Sequence, residues 1–252
     1  MDEIIPLSVV VLTKNEQACI AECLDSVKGW AAEIIVVDDE SSDQTLEIVR
    51  RYADKVFSKK MDVEGRHRNW AYAQAGNNWV LSLDADEKVT PELKTEIASA
   101  IKQAGFAAFS IPLRNYISNY WVRHGGWYPA SKVRLFQKDK FKYEEAEVHP
   151  RVFIEGECGH LKSDIIHKGY PDLEHFLNSI NRQSTLEAVK WINTSRKMSL
   201  GRIIWRTVDR FFRRYIGKKG YKDGLYGFMI AYFDSFYQIV SYAKFKEMQR
   251  KK

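Results

Sequence analysis

The chain has 252 residues, which suffices for one large α/β domain with an appendage and is too short for three ordinary domains. Hydrophobic residues make up 45% of the sequence, a content that supports a sizeable buried core and excludes a disordered chain. The formal net charge is +6, and all of the positive excess lies in residues 196–252, where 15 basic residues outnumber 4 acidic ones.

The first hundred residues alternate between short apolar runs and segments with helical spacing. Apolar runs typical of buried strands occupy residues 7–12, 33–37, 56–58 and 79–83. Helical patterns occupy residues 15–28, a segment after the capping residues 41–43, residues 65–75 and residues 91–102, with Thr90 as N-cap of the last one. Strand and helix in this alternation predict an α/β fold with a mostly parallel, doubly wound sheet.

Polar residues directly follow three of these strands, and doubly wound sheets bind ligands outside the carboxyl ends of their strands. They are Thr13, Asn15 and Glu16 after the first strand, Asp38 and Asp39 after the second, and Asp84 and Asp86 after the fourth. Asp84 and Asp86 are two positions apart, so their carboxylates project to the same side of an extended chain. Such a pair suits Mg²⁺ or Mn²⁺, which take substrate phosphate oxygens as further ligands. The alternative is a solvated turn.

Asp38, Asp39 and Arg68 have the chemistry of a nucleotide site. A carboxylate at Asp38 or Asp39 can accept a hydrogen bond from a ribose hydroxyl or a base N–H group, whereas the alternative is an Asx turn that caps the next helix. Arg68 stands in a Gly65-x-x-Arg68-Asn69 pattern before a helix, where its guanidinium group can contact a diphosphate or a base.

The second half of the chain changes in character. Residues 106–112 predict a further strand, and residues 114–169 contain aromatic residues, glycines and short strand-like pieces that extend the same domain. From residue 171 onward the patterns are helical. The sequence therefore predicts one domain over residues 1–170 and a basic helical C-terminal appendage over residues 171–252.

The basic appendage has two interpretations. Residues 201–216 carry aromatic and aliphatic residues on one face with arginines beside or opposite them, and residues 226–245 predict an aromatic-rich helix. Such a segment suits an anionic membrane surface, where each basic residue contributes roughly 1 kcal/mol. The alternative is a helical subdomain that packs its apolar face on the rest of the chain. No membrane-spanning helix is expected, because no uncharged run is long enough, and no nucleic-acid partner is expected either.

Segments of both halves resemble known glycosyltransferases. The set VVVLTKNE (9–16), VVDDESSDQT (36–45), RN…A (68–75) and LSLDADE (81–87) resembles family 2 glycosyltransferases of the Rossmann-like GT-A fold over about residues 5–105. The set WYP (127–129), RLF (134–136), VH (148–149), DIIH (164–167) and YKDGLYGF (221–228) resembles a narrower subgroup, the bacterial lipopolysaccharide-core β-glycosyltransferases.

The resemblance implies an enzyme that transfers a sugar, with inversion, from a nucleotide-diphosphate donor, for which we favour a UDP-sugar. Residues 5–105 would bind the donor, and residues 106–170 would hold the acceptor and the catalytic base. Matched positions imply a nucleotide pocket of Thr13, Asn15, Glu16, Asp38, Asp39, Arg68 and Asp84, and a metal site of Asp86 with Asp84. The implied acceptor is a glycolipid, with lipopolysaccharide core favoured, and the implied location is cytoplasmic, peripheral on the inner face of the bacterial inner membrane.

The catalytic base is expected among the glutamates before Val148-His149. Subgroup members resemble one another in an acidic residue three positions before this valine, which is Glu145 here, and Glu147 is the second candidate. The subgroup usually has an acidic residue after the histidine, where this chain has Pro150. The alternative for either glutamate is a solvated loop. His149 is a candidate metal ligand or, alternatively, a hydrogen-bonded structural residue.

Trp127 and Tyr128 lie in a stretch with Gly125-Gly126, where aromatic faces can stack on an acceptor sugar; packing in a core is the alternative.

Two other functions compete with glycosyl transfer. A sugar nucleotidyltransferase would normally have a glycine-rich phosphate loop after the first strand, where this chain has TKNE. An inactive sugar-binding or membrane scaffold protein would not need Asp84 and Asp86 intact.

Overall fold

In the computed structural model, which describes residues 3–145 and 151–250, the chain divides into two units. The first, here called the sheet unit, comprises Met1–Leu113 and Ser131–His167. The second, here called the helical unit, comprises Arg114–Ala130 and Lys168–Lys252. Residues 114–130 therefore group with the C-terminal helices, whereas the sequence assigned them to the first domain. Their apolar side chains explain this grouping, because Ile117 and Val122 are buried in a cluster with Phe176 and Ile230.

The strands are β1 Ile5–Thr13, β2 Ala31–Asp38, β3 Lys55–Ser58, β4 Trp79–Asp84, β5 Glu87–Val89, β6 Phe106–Ile111, β7 Leu113–Ile117, β8 Tyr120–Trp121, β9 Lys132–Gln137, β10 Phe141–Tyr143, β11 Val152–Ile154, β12 Glu157–His160 and β13 Ile165–Tyr170. The α-helices are α1 Ile20–Asp25, α2 Thr45–Val49, α3 Glu64–Ala73, α4 Pro91–Ala100, α5 Leu173–Asn193, α6 Leu200–Phe212 and α7 Gly224–Arg250. All four strands predicted in the first hundred residues are present, as is the strand at 106–111.

The main sheet has seven strands in the order β12-β6-β9-β4-β1-β2-β3. The pairs β1–β2, β1–β4, β2–β3 and β12–β6 are parallel, which confirms the predicted doubly wound α/β arrangement. Strand β9 is antiparallel to both of its neighbours, β4 and β6. The sheet is therefore mixed. The four neighbouring strands β4, β1, β2 and β3 are parallel, and three of them precede the polar residues predicted to bind a ligand.

The strands at the centre of the sheet are buried on both faces. Val9, Val10 and Val11 are fully buried, and they alternate between two cores: Val9 and Val11 pack in one, and Val10 packs in the other. A strand enclosed on both sides needs apolar residues at every position, which is why its sequence is a continuous apolar run rather than an alternating one. This rigid centre fixes the positions of the strand ends that carry the candidate site.

The helix predicted over residues 15–28 is much shorter in the structure, where only α1 is regular. Asn15 has a left-handed backbone with φ of +54°, and its N–H group donates to Ser41 Oγ at 2.8 Å. Glu16 N–H likewise donates to Thr45 Oγ1 at 2.8 Å. These backbone groups therefore bond to the loop after β2, so residues 15 and 16 form a turn at the edge of the sheet instead of a helical turn.

The helical unit consists of α5, α6 and α7 together with the hairpin of β7 and β8. Trp191 of α5 contacts Phe245 of α7 with ring centroids 5.9 Å apart, and Phe211 of α6 contacts Phe228 of α7 at 6.0 Å. A π-helical turn, Arg213–Gly217, extends α6. None of the helices in the described part of the chain combines the length and hydrophobicity that crossing a membrane requires.

The N-cap of α4 should contribute measurably to stability. Thr90 Oγ1 accepts a hydrogen bond from Leu93 N–H at 3.2 Å and donates to the Asp164 carbonyl at 3.1 Å, and Thr90 is buried. Thr90→Val should therefore lower the free energy of unfolding by about 1–2 kcal/mol. Thr95→Val is the matched control, because Thr95 is an exposed threonine of the same helix. Urea denaturation followed by circular dichroism measures both; equal effects would contradict the capping role.

Candidate active site

The carboxyl ends of β1, β2 and β4 lie side by side. Thr13 at the end of β1 pairs with Asp38 at the end of β2, and Leu12 pairs with Asp84 at the end of β4. The register thus brings three of the predicted site residues to one edge of the sheet. Thr13 and Asp38 are both buried. This edge is where a doubly wound sheet binds its ligands.

The turns after β1 and β2 are joined by side-chain hydrogen bonds. Asn15 Oδ1 accepts from Ser42 N–H at 2.8 Å, and Asp38 Oδ2 accepts from Ser41 N–H at 2.8 Å. Asp38 thus bonds to a residue three positions further on, and it does not cap the next helix, because α2 begins at Thr45 with Gln44 as its N-cap. Asn15 and Asp38 hold the two turns in place, and their predicted contacts with a nucleotide stay predictions.

Asp39 is held by a lysine that the sequence analysis did not single out. Its Oδ2 lies 2.8 Å from Lys14 Nζ, and its Oδ1 accepts from Met61 N–H at 2.7 Å. Burial works against the charge of Asp39, but these hydrogen bonds outweigh it and lower the pKa of the carboxyl group. Lys14 is more than half exposed, so this edge presents a cation next to the ionised Asp39.

Asp84 is the centre of a buried ion network. Its Oδ2 lies 2.6 Å from Arg134 Nη2, and its Oδ1 lies 3.1 Å from Arg68 Nη2. Arg134 also forms an ion pair with Glu87, and both of these residues are buried. Although burial opposes its charge, the guanidinium groups of Arg134 and Arg68 hold the pKa of Asp84 far below its ordinary value. Burial and the nearby charge of Asp84 raise the pKa of Glu87 despite the opposing effect of Arg134.

Asp86 forms a second, more accessible pair with His167. His167 Nε2 lies 3.1 Å from Asp86 Oδ2, and each side chain is about one-fifth exposed, at 21% and 23%. His167 lies on β13 opposite Glu87 of β5. Burial opposes an imidazolium here, but the hydrogen bond with Asp86 and the charges of Asp86 and Glu87 raise the pKa of His167. The two carboxylates predicted to act together are thus in different surroundings: Asp84 faces arginines, and Asp86 faces a histidine.

Two buried polar atoms of predicted site residues lack a hydrogen-bond partner among the residues that the structure describes. They are Thr13 Oγ1 and Arg68 Nη1. Leaving a buried donor or acceptor unpaired costs about 1–3 kcal/mol, so such atoms call for an explanation. A polar ligand at this edge would supply the missing partners.

Helix α3 positions the segment that carries the first candidate base. Asn69 is bonded twice to the Tyr143 backbone, through Nδ2 to the carbonyl at 2.9 Å and from N–H to Oδ1 at 2.8 Å. At Gly65 the chains approach so closely that a Cβ atom would lie 1.8 Å from the Glu144 carbonyl oxygen. Arg66 Nε lies 3.3 Å from Glu145 Oε2, and Glu145 is exposed. Helix α3, which carries this Gly65-x-x-Arg68-Asn69 pattern, therefore places Arg68 beside Asp84 and holds the end of β10 before Glu145.

The second candidate base, Glu147, and the candidate metal ligand, His149, lie outside the described residues. Trp127 and Tyr128 lie in the helical unit and are half-buried. The Trp127 ring contacts Phe176 at 6.1 Å, which agrees with the packing alternative. The predicted stacking of these two residues on an acceptor sugar stays a prediction.

Four residues at this edge were missed as site residues, although each lies inside a quoted motif: Lys14, Glu87, Arg134 and His167. Arg134 begins the RLF segment, and His167 ends the DIIH segment. The signal for Arg134 and His167 was that the RLF and DIIH segments each combine a charged or metal-ligating side chain with apolar residues typical of a strand. Sequence spacing alone did not indicate that both would converge on Asp84 and Asp86.

The chain is similar over nearly its whole length to known glycosyltransferases. The chain is 25% identical over 250 residues to the lipopolysaccharide core biosynthesis glycosyltransferase LpsC of Rhizobium meliloti, covering 95% of this chain and 92% of LpsC. It is 27% identical over 259 residues to an uncharacterised glycosyltransferase of Rickettsia typhi, covering 97% of this chain and 88% of that protein.

Among solved structures, residues 1–349 of Staphylococcus aureus TarS in complex with UDP-GlcNAc align with a TM-score of 0.50 at 16% identity, covering 98% of this chain and 92% of that one. At this identity the likeness concerns the fold, which is GT-A as the resemblance implied. The model of the family described as glycosyl transferase family 2 matches residues 8–156, more than half of the chain. The chain therefore belongs to glycosyltransferase family 2.

Proposed function

We propose that this protein is an inverting, metal-dependent transferase that moves a sugar from a UDP-sugar to a glycolipid of the lipopolysaccharide core type. The observation that carries the proposal is the pairing of Asp86 with His167 beside the buried network of Asp84, with unpartnered polar atoms of Thr13 and Arg68 at the same sheet edge. The similarity to LpsC, a lipopolysaccharide core enzyme by its name, supports the acceptor class.

In this proposal the donor nucleotide occupies the edge formed by β1, β2 and β4. Thr13 Oγ1 and Arg68 Nη1 supply a hydroxyl and a guanidinium donor to it. Asp38 and Asp39 lie within the same edge and can accept hydrogen bonds from the ribose or the base. Arg134 acts indirectly, because it fixes Asp84 and thereby the guanidinium group of Arg68.

The side chains present suit a divalent metal at Asp86. One carboxylate and one imidazole lie side by side and partly exposed, and Mg²⁺ or Mn²⁺ is commonly held by one or two protein ligands plus substrate phosphates. No group of three or more candidate ligands occurs within residues 3–145 and 151–250, so the diphosphate would complete the coordination. When bound, the metal neutralises charge on the departing diphosphate. Asp84, engaged by Arg134 and Arg68, is the weaker candidate ligand.

Glu145 is proposed as the catalytic base. An acceptor hydroxyl attacks the anomeric carbon from the side opposite the diphosphate, the bond from that carbon to the diphosphate oxygen breaks, and the hydroxyl proton passes to the carboxylate. Glu145 is exposed and stands at the end of a strand that Asn69 holds in place. Arg66 pairs with Glu145 and so orients its carboxylate before the acceptor binds.

Membrane association is proposed through the helical unit. An exposed apolar face is formed by Leu200, Ile204, Trp205, Val208 and Phe212 of α6 and by Leu225, Phe228, Tyr232, Phe236 and Ile239 of α7. Trp205 and Leu225 are each 70% exposed. The two helices contribute to one continuous surface, because Phe228 contacts Tyr232 at 6.2 Å and Phe211 at 6.0 Å, and Phe211 contacts Phe212 at 5.6 Å.

The charge next to this face supports an anionic membrane surface as its partner. Exposed Arg202 lies on α6 and exposed Arg213 begins the π-helical turn after it, and exposed Lys218, Lys219 and Lys222 follow that turn. An exposed apolar helix face with Trp and basic residues is typical of helices that lie in the interface of an anionic membrane. This arrangement supports a peripheral position on the inner face of the bacterial inner membrane, where a lipid-linked acceptor is within reach.

The metal proposal is tested by Asp86→Asn. Loss of one negative ligand should abolish Mn²⁺-dependent binding of UDP in calorimetry and lower kcat at least about 100-fold, while circular dichroism stays unchanged. Asp139→Asn, an exposed aspartate of the sheet unit, is the matched control and should have normal activity. Titration of UDP, GDP, ADP and dTDP in the same assay identifies the donor base. Normal turnover by Asp86→Asn would refute the metal site.

The base proposal is tested by Glu145→Gln. This change removes the proton acceptor but not the donor site, so kcat should fall about 100- to 10,000-fold while the Kd for UDP stays the same. Glu155→Gln removes an exposed glutamate of the same unit and should leave kcat unaffected. If Glu145→Gln turns over normally and Glu147→Gln does not, the base is Glu147.

The membrane proposal is tested by a Trp205→Ser/Phe212→Ser variant in vesicle flotation. Two large apolar side chains are removed from the exposed apolar face, each worth about 1.5–3 kcal/mol when fully buried, so binding to phosphatidylglycerol vesicles should weaken at least about tenfold. Phe153→Ser removes an aromatic side chain of the sheet unit that is 55% exposed and should not change binding. Unchanged flotation of the folded double variant would exclude this face as the membrane contact.

A further inference from the structure

A cationic pocket opens beside α6 in the helical unit, and no step of the proposed transfer uses it. Its volume is about 300 Å³, and it is lined by Arg206, Asp209, Arg210, Arg213, Arg214 and Lys218. Five of these six residues are cations. All six belong to α6, the π-helical turn that follows it and the next residue, so the pocket is formed by one short stretch of chain.

Helical spacing gathers the arginines on one side of α6. Arg206, Arg210 and Arg214 follow one another at intervals of four residues, and Arg213 adjoins them. Residues at this spacing lie on one face of a helix. The exposed apolar residues Ile204, Val208 and Phe212 follow a separate line with the same interval. The pocket and the apolar face are therefore distinct surfaces of the same helix.

The carboxylates near the pocket do not balance its positive charge. Asp209 pairs with Arg213, and Asp234 of α7 pairs with Arg214 and lies 3.8 Å from Arg210. In the described part of the chain, Arg206 and Lys218 take part in no ion pair. Glu187 of α5 is a third carboxylate whose charge acts on Arg206, so five cations and three carboxylates leave an excess of two positive charges.

The excess charge is unfavourable for the protein alone. Burial, together with the positive charges of Arg196 and Arg210, lowers the pKa of Arg206. Burial also lowers the pKa of Arg214, and Asp234 compensates only in part. Like charges held together with partial burial cost free energy that an anion bound among them would return.

We propose that the cationic pocket binds a phosphate group that carries close to two negative charges, as in a phosphate monoester or a diphosphate. Arginine forks match phosphate oxygens with paired hydrogen bonds, and an excess of two positive charges exceeds what a single carboxylate would neutralise. The volume is sufficient for one or two phosphate groups. The pocket shares no residue with the proposed donor site, because every lining residue belongs to the helical unit.

Two sources can provide such a group: the phosphorylated headgroup of a lipid, or a soluble phosphate compound. The test variant is Arg206→Gln/Lys218→Gln, since these two residues have no ion-pair partner and their loss leaves no carboxylate unpaired. The matched control is Arg182→Gln/Lys190→Gln, which removes the same two residue types from exposed positions of the helical unit outside the pocket. Both variants have the same net charge.

The first measurement is calorimetric titration of the full chain with sodium pyrophosphate in EDTA. The R206Q/K218Q variant should bind at least about tenfold more weakly than the unchanged protein, and the control should bind within about twofold of it. The second is flotation with vesicles of phosphatidic acid, a monoester, and of phosphatidylglycerol, a diester, at equal surface charge. A preference for phosphatidic acid that R206Q/K218Q loses identifies a lipid source, and pyrophosphate binding without that preference identifies a soluble one.

Two outcomes would overturn the proposal. One is an unchanged protein that neither binds pyrophosphate nor prefers phosphatidic acid. The other is a control variant that loses as much binding as R206Q/K218Q, since that result would show attraction by overall charge only. Circular dichroism of both variants confirms folding, and UDP binding in the presence of Mn²⁺ reports separately on the donor site.

Discussion

The buried ion pair between Arg134 and the carboxylates of Asp84 and Glu87 is the interaction on which the donor edge depends. It ties β9 to β4 and β5, and Asp84 in turn holds Arg68 of α3. Removing one partner of a buried pair costs about 3–5 kcal/mol, because the remaining charge is left uncompensated. The same helix clamps the strand before Glu145 through Asn69. Helix α3 thus connects the ion network at Asp84 with the strand end that precedes the first candidate base.

The sheet edge was predictable because its signals are local. A continuous apolar run predicts a strand buried on both faces. The polar residues that follow such a strand must then lie at the edge formed by the carboxyl ends of the parallel strands. The partners of those residues were not predictable in the same way. Arg134 comes from an antiparallel strand 50 residues beyond Asp84, and His167 comes from β13. Periodicity gives no register between remote strands, so the sequence indicated Asp84 and Asp86 as a like pair but not that Asp84 would face arginines and Asp86 a histidine.

The C-terminal part shows the same limit for helices. The amphipathic pattern of residues 201–216 predicted an apolar face and a basic face, and α6 has both. Helical spacing did not indicate that residues 114–130 would join this unit, because that grouping depends on the non-local packing of Ile117 and Val122. Nor did it show that some arginines pair with Asp209 and Asp234, while Arg206 forms no ion pair in the described part of the chain.

Charge balance at the donor edge gives the physical reason for proposing a metal. The carboxylates of Glu16, Asp38, Asp39, Asp84, Asp86 and Glu87 outnumber the cations there, which are Lys14, Arg68, Lys132 and Arg134, with the imidazole of His167 beside Asp86. Burial and the charges of Asp86, Asp43 and Asp84 raise the pKa of Glu16, which reflects this crowding. A diphosphate approaching such an edge would meet net repulsion, and the arginines are already engaged with Asp84. A divalent cation at Asp86 and His167 would reverse the local sign and attract the diphosphate to the side where Asp86 is accessible.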